Sequence, residues 1–274
     1  MNGLFRISLK SLLSSKNYRL SFIVLILIML LAHFVNVLSF YGDYDNFVPN
    51  GFYHFIGFSV FNSQIKYSLY YIVLPLVVSF GAGTGYIFDT ESGLRQIFLT
   101  KSRRKTYYLI LIITTFLSGF ILVFLPFLVN LVLSLIAFPL DSTTFYANNI
   151  SMNQILWIDN LVFKTLHINN PLIYSLLYCL IPAVVGGLLS CITLCFSFFY
   201  QKNVITTALV VPFIYVLLTI FTNYTHHPNL TLPYYLMAVS PVTSLNFVYL
   251  SFMLVILLVI IYFVFLIQTK RDEL

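Results

Sequence analysis

Cys191 and Cys195 stand four residues apart, which places both side chains on one face of a helix and would offer a metal or redox site two sulfurs. No partner ligand accompanies them, and the third cysteine, Cys179, lies in the same apolar stretch. Small apolar packing is therefore the better reading of all three. His226 and His227 are adjacent, a spacing that points two imidazoles apart on a helix rather than at one metal ion. GAGTG, residues 81–85, has the glycines of a phosphate loop but no following Lys-Ser/Thr, and it lies inside an apolar run. HExxH, GxSxG and GxxxxGK[ST] motifs are all absent. His33 is the one ionisable group of note within the apolar segments, and it reads as packed rather than as a proton relay. These residues do not assemble an enzyme, and none of them calls for a metal or cofactor.

Charge is where the sequence is unusual. The chain has 274 residues, of which 60% are hydrophobic and only 8% charged, far below the roughly 25% of a soluble domain. Seven of its 22 Asp, Glu, Lys and Arg residues fall in DTESGLRQIFLTKSRRKTYY, residues 89–108. A charge at the bilayer centre costs on the order of 3 kcal/mol, so residues 89–105 must lie outside a membrane that the rest of the chain crosses.

The elements that position it follow from length and period. A spanning helix needs roughly 20 apolar residues, and six segments qualify, near 20–40, 67–88, 106–139, 172–200, 203–222 and 246–268. The expected fold is an all-α integral membrane protein, with residues 1–274 as one transmembrane domain. Twelve of the 14 basic residues fall before the first span, after the sixth, or in the loops after the second and fourth. By the positive-inside rule both termini are cytoplasmic, and the net charge of +6 reflects topology rather than nucleic-acid binding. No cleavable leader is expected at the N-terminus. The closing RDEL would face the cytoplasm, where a retention tag is not read. The sequons at Asn149, Asn223 and Asn229 are attributed to chance.

Around the spans, NGLFRISLKSLLSS (2–15) reads as an amphipathic interfacial helix, with Leu4, Phe5, Leu9, Leu12 and Leu13 on one side and Ile7 misplaced. GFYHFIGFSVF in the first outer loop is expected to rest on or partly re-enter the membrane. In the third outer loop (223–245), Pro233 and Pro241 bracket a run too brief to cross, which suggests a re-entrant or interfacial segment. Gly81, Gly83, Gly85, Gly186 and Gly187 are expected to serve close helix packing, a bend or the pathway.

Within 89–105, residues 91–99 have helical spacing. Leu94, Ile97 and Phe98 form a small apolar face, Glu91 and Arg95 can pair at i and i+4, and Asp89 or Thr90 can cap the start. A short helix of this kind suits docking into another protein's groove. Glu91-Ser-Gly93-Leu94, then Ile97-Phe-Leu99-Thr100, Ser102-Arg103 and Tyr107 resemble the loop after the second span in ABC-2 type permeases, the membrane subunits of ATP-binding-cassette exporters. Lys101 stands where that family often has Pro, and no Lys opens the third span. The six spans, the amphipathic start and the Leu232-Pro233 segment agree with the resemblance.

That resemblance implies a cytoplasmic coupling helix at 91–99 that seats on a separate ATPase subunit. Glu91, Gly93, Leu94, Arg95, Ile97 and Phe98 would make the contact, with Lys202 on the neighbouring loop. ATP and Mg would sit on that subunit, two copies of which would serve two permeases, so a second copy or a paralogue is implied, in the lipid of a cell membrane. The charge-free, Phe- and Tyr-rich interior suits an amphipathic or lipid-like cargo. With no large outer domain, the chain is similar to small bacterial permeases that export antimicrobial peptides, so a hydrophobic peptide is the expected cargo. An ion-coupled transporter or a membrane scaffold is the alternative.

Overall fold

The computed structural model describes residues 2–41, 51–57, 63–101, 103–138, 140, 163–200, 203–239 and 245–271. Among these the secondary structure is helical, without strands, and six helices are long and apolar enough to cross a membrane. The chain is thus an all-α, multi-pass membrane protein. The side on which residues 2 and 271 lie is called here the terminal side, and the opposite one the far side.

Ser15 separates the first two helices. α1 (Asn2–Ser14) ends there, and the Ser15 hydroxyl accepts from Tyr18 N–H as the N-cap of α2 (Lys16–Phe40), the first span. α1 does not simply lie on the interface. Ser8 and Leu12 are buried; Ser8 Oγ stands 3.2 Å from Thr114 Oγ1 of the third span, while Ile7 faces outward. α1 is thereby part of the bundle. A stripe of Tyr18, Ser21, Leu25, Met29, Ala32 and Asn36 turns α2 inward at helical spacing.

The second span, α4 (Gln64–Glu91), is not a regular helix. Two π-helical stretches, Leu69–Val73 and Ser79–Gly83, flank Pro75. Proline lacks an N–H, and the wide turn before it hands Leu74 N–H to Leu69 C=O. Tyr215 of the fifth span donates to Tyr70 C=O in that stretch at 3.2 Å. α4 also carries two charged residues expected to lie outside the spans: Lys66 is 3% exposed and Asp89 6%. They are about 35 Å apart along the helix, one near each end.

The third span, α6 (Arg104–Ala137), and the fourth, α8 (Pro171–Phe199), form the centre. Small residues let them approach closely. A Cβ on Gly187 would stand 2.8 Å from the Phe116 ring, one on Gly186 would stand 2.7 Å from Val123, and one on Gly119 would run into Ser190 Oγ. Ser190 Oγ donates to Thr115 C=O across the contact. α9 (Val204–Tyr224) and α11 (Phe247–Arg271), the fifth and sixth spans, pack outside this centre, and α11 is the least buried of the six.

On the far side the described parts of the loops descend into the bundle. α3 (Gly51–His54) and the following turn bury Phe52, His54, Phe55 and Ile56. Asn130, deep in α6, accepts from Ile56 N–H and donates to Met29 C=O, both at 3.0 Å; Asn36 donates to His54 C=O. Residues 54–57 of the aromatic loop are therefore inserted into protein, where each side-chain amide satisfies backbone that lipid would leave unpaired. α7 (Lys164–Asn169) precedes α8, and its buried His167 packs on Tyr174. α10 (Leu232–Leu236) tucks Pro233, Tyr235 and Leu236 inward, and Ala238 N–H reaches Gly57 C=O. Trp157, Pro241 and Lys202 lie outside the described residues.

Candidate docking site

α4 ends at Glu91, where Ser92 turns both its N–H and its hydroxyl back to Phe88 C=O. Gly93 follows at φ +73°, a conformation that side chains with a Cβ resist, and α5 (Leu94–Lys101) starts in a new direction. The helix expected over 91–99 is thus two elements. Glu91 is the last residue of one and Arg95 belongs to the next, so they are not an i, i+4 pair. Asp89 and Thr90 do not cap α5 either: they lie within α4, and Thr90 Oγ1 donates to Tyr86 C=O.

α5 is held to the bundle by its own side chains. Phe98, 5% exposed, joins Tyr86, Tyr107, Tyr108, Leu111, Leu194 and Phe198 in a buried cluster. The Tyr86 and Phe198 rings meet edge to face at 4.8 Å, and Phe98 lies 6.0 Å from Tyr107. The Arg95 guanidinium sits over the Tyr86 ring, 5.3 Å from its centroid, a cation–π geometry. Leu4 and Ser8 of α1 meet Phe98 and Tyr107 around a void of about 10 Å³, so α1, α5 and α6 join at one point. Gln268, near the end of α11, reaches Tyr108 OH at 3.4 Å.

Phe98 is therefore not part of an outward apolar face. It is an anchor: in the bundle its ring meets an aromatic cluster, a better partner than water. Among the described side chains of α5 and its bend, Glu91, Ser92, Gln96 and Thr100 are exposed, as are Arg103, Arg104 and Lys105 just beyond. Leu94 and Ile97 fall on α5 itself. Arg6 and Lys10 of α1, and Lys16 and Arg19 of α2, are exposed on the same side.

The glycines in α4 serve contacts with four neighbours, α1, α2, α6 and α8. A Cβ on Gly81 would meet Leu122 and Ser21, one on Gly83 would meet Thr193 at 2.5 Å, and one on Gly85 would strike Leu12 of α1. Thr193 Oγ1 donates to Ser79 Oγ beside them. Cys191 and Cys195 pack with Leu188 and Ile261, and Cys191 Sγ approaches Ile112 C=O at 3.5 Å. His226 and His227 are exposed in the turn after α9.

Sequence reasoning passed over Asn36, Asn130 and the π-helical stretches. The signal was present for the first two, since a carboxamide inside an apolar span needs partners. Comparison with family models, with curated proteins and with solved structures finds no match to this chain.

Proposed function

We propose that the chain is the permease subunit of an ATP-driven exporter, with ATP hydrolysed on a separate subunit that docks at α5. The observation that carries this reading is the α4–Gly93–α5 unit. A short helix is set off from a spanning helix by a left-handed glycine, locked to three spans by Phe98 and Arg95, with Gln96 and Thr100 exposed on it. A solvated loop needs no such anchor; a lever does, because a push on α5 must reach the spans rather than dissipate in the linker.

Under this reading the terminal side is cytoplasmic, as the bias of basic residues favours. The docking face is Glu91, Ser92, Gln96 and Thr100, flanked by Arg103, Arg104 and Lys105. The partner brings ATP and Mg; two such subunits closing together move two permeases between inward- and outward-facing states. The membrane is the cell membrane, and the cargo is hydrophobic or amphipathic, with a peptide the first candidate.

Ion coupling fits less well. Lys66 and Asp89 are buried charges, the usual mark of such a path, but they sit at opposite ends of α4 rather than together at the midplane. Co-expression with cassette ATPases tests the proposal: the tagged wild-type chain retains an ATPase through purification, and Glu91→Lys with Gln96→Arg releases it while the permease stays folded. A folded wild type that retains none contradicts the docking reading.

A further inference from the structure

Between α8, α9 and α11 a cleft of about 320 Å³ opens sideways. Leu189 of α8, Val211 and Leu218 of α9 and Ile260 of α11 line its length, and Thr222 and Leu232 stand at its mouth on the far side. From Val211 to Thr222 the slot runs about 16 Å, half of the roughly 30 Å hydrocarbon core. It therefore spans one leaflet, from the bilayer middle to the far-side interface.

Its chemistry leaves one class of occupant. All three hydroxyls of the lining are already committed: Tyr215 OH to Tyr70 C=O, Thr219 Oγ1 to Tyr215 C=O, and Thr222 Oγ1 to Thr231 Oγ1 at 2.9 Å. Nothing along the wall would hold water, and an apolar cavity of about half this size stays dry and takes up apolar guests. The volume spread over that length gives a cross-section of about 20 Å². A helix is about 10–12 Å across with its side chains and does not fit, so neither a span of a second copy nor a helical peptide fills the slot. One extended hydrocarbon chain does.

We propose that this slot binds a single acyl chain of a far-leaflet phospholipid, methyl end at Leu189, Val211 and Ile260, glycerol end at Thr222, Leu230 and Leu232. The site stands whether or not the chain is an exporter. If it is one, an acyl-bearing amphiphile can lie in this slot without leaving the bilayer.

The test uses the full chain in nanodiscs containing phosphatidylethanolamine with a diazirine either at the chain terminus or near the glycerol. Terminal probes should label residues 253–260 of α11 and Val211 of α9; glycerol-proximal probes should label 219–232. Leu218→Trp with Ile256→Trp should lose that labelling, while Leu258→Trp, on an exposed face of α11, keeps it. The wild-type depth pattern stands alone if the filled variant misfolds. Labelling spread evenly over exposed Phe213, Phe221 and Tyr262, or unchanged in the folded filled variant, overturns the proposal. So does protection of the slot by contact with a second copy.

Discussion

Gly93 is the residue on which the proposed docking geometry turns. At φ +73° nothing lies within 4 Å of a Cβ, so the cost of Gly93→Ala is conformational rather than steric, about 1–2 kcal/mol. That is small against the whole bundle but acts on one hinge. Gly93→Ala is expected to leave thermal stability nearly unchanged and to weaken ATPase retention several-fold in pull-down titrations. Asn130 makes the opposite case. Asn130→Leu leaves Ile56 N–H and Met29 C=O without their side-chain partner, a loss of about 1–3 kcal/mol, read as a lower unfolding temperature in detergent and faster amide exchange over 51–57. His167 adds a pH dependence outside the spans. Burial lowers its pKa below the ordinary 6.5, so the folded state favours neutral imidazole. Its contribution is present above about pH 6.5 and is lost as the pH falls toward the lower folded value. Amide exchange over α7 should quicken on acidification, and His167→Gln should flatten that response.

At the scale of elements, α5 separates anchoring from docking. Phe98→Ala removes a buried ring at a cost of about 3–5 kcal/mol if the cluster cannot close over it. The predicted result is rapid amide exchange throughout Leu94–Lys101 together with loss of ATPase binding. Glu91→Lys with Gln96→Arg should lose binding with exchange unchanged. The sequence already contained the period that makes α5 a helix, and Gly93 was a visible C-terminal stop for the helix before it. Periodicity could not tell whether an apolar face meets a partner or the parent bundle, because both bury the same ring. The same ambiguity hid α1's burial: its apolar side fits a membrane surface as well as it fits Thr114 and Gly85. The π-helical stretches were illegible, since Pro75 marks a disturbance but not which register absorbs it.

For the molecule as a whole, the six spans were legible because about 20 apolar residues in a row leave few alternatives to crossing a bilayer. Their arrangement was less so. Leu-rich α11 and Leu-rich α8 look alike in sequence, yet α8 is central and α11 largely faces outward, a difference carried by Gly119, Gly186, Gly187 and Ser190. Under the proposed function the chain is half of a transporter and pairs, giving a detergent-corrected mass near twice 31.5 kDa before the ATPases are counted. The most direct measurement is co-purification of the tagged chain with candidate cassette ATPases, wild type beside Glu91→Lys with Gln96→Arg. The account predicts an ATPase bound to the wild type in equal numbers and absent from the folded variant. An ATPase that binds both equally, or a stable wild type that binds none, contradicts it.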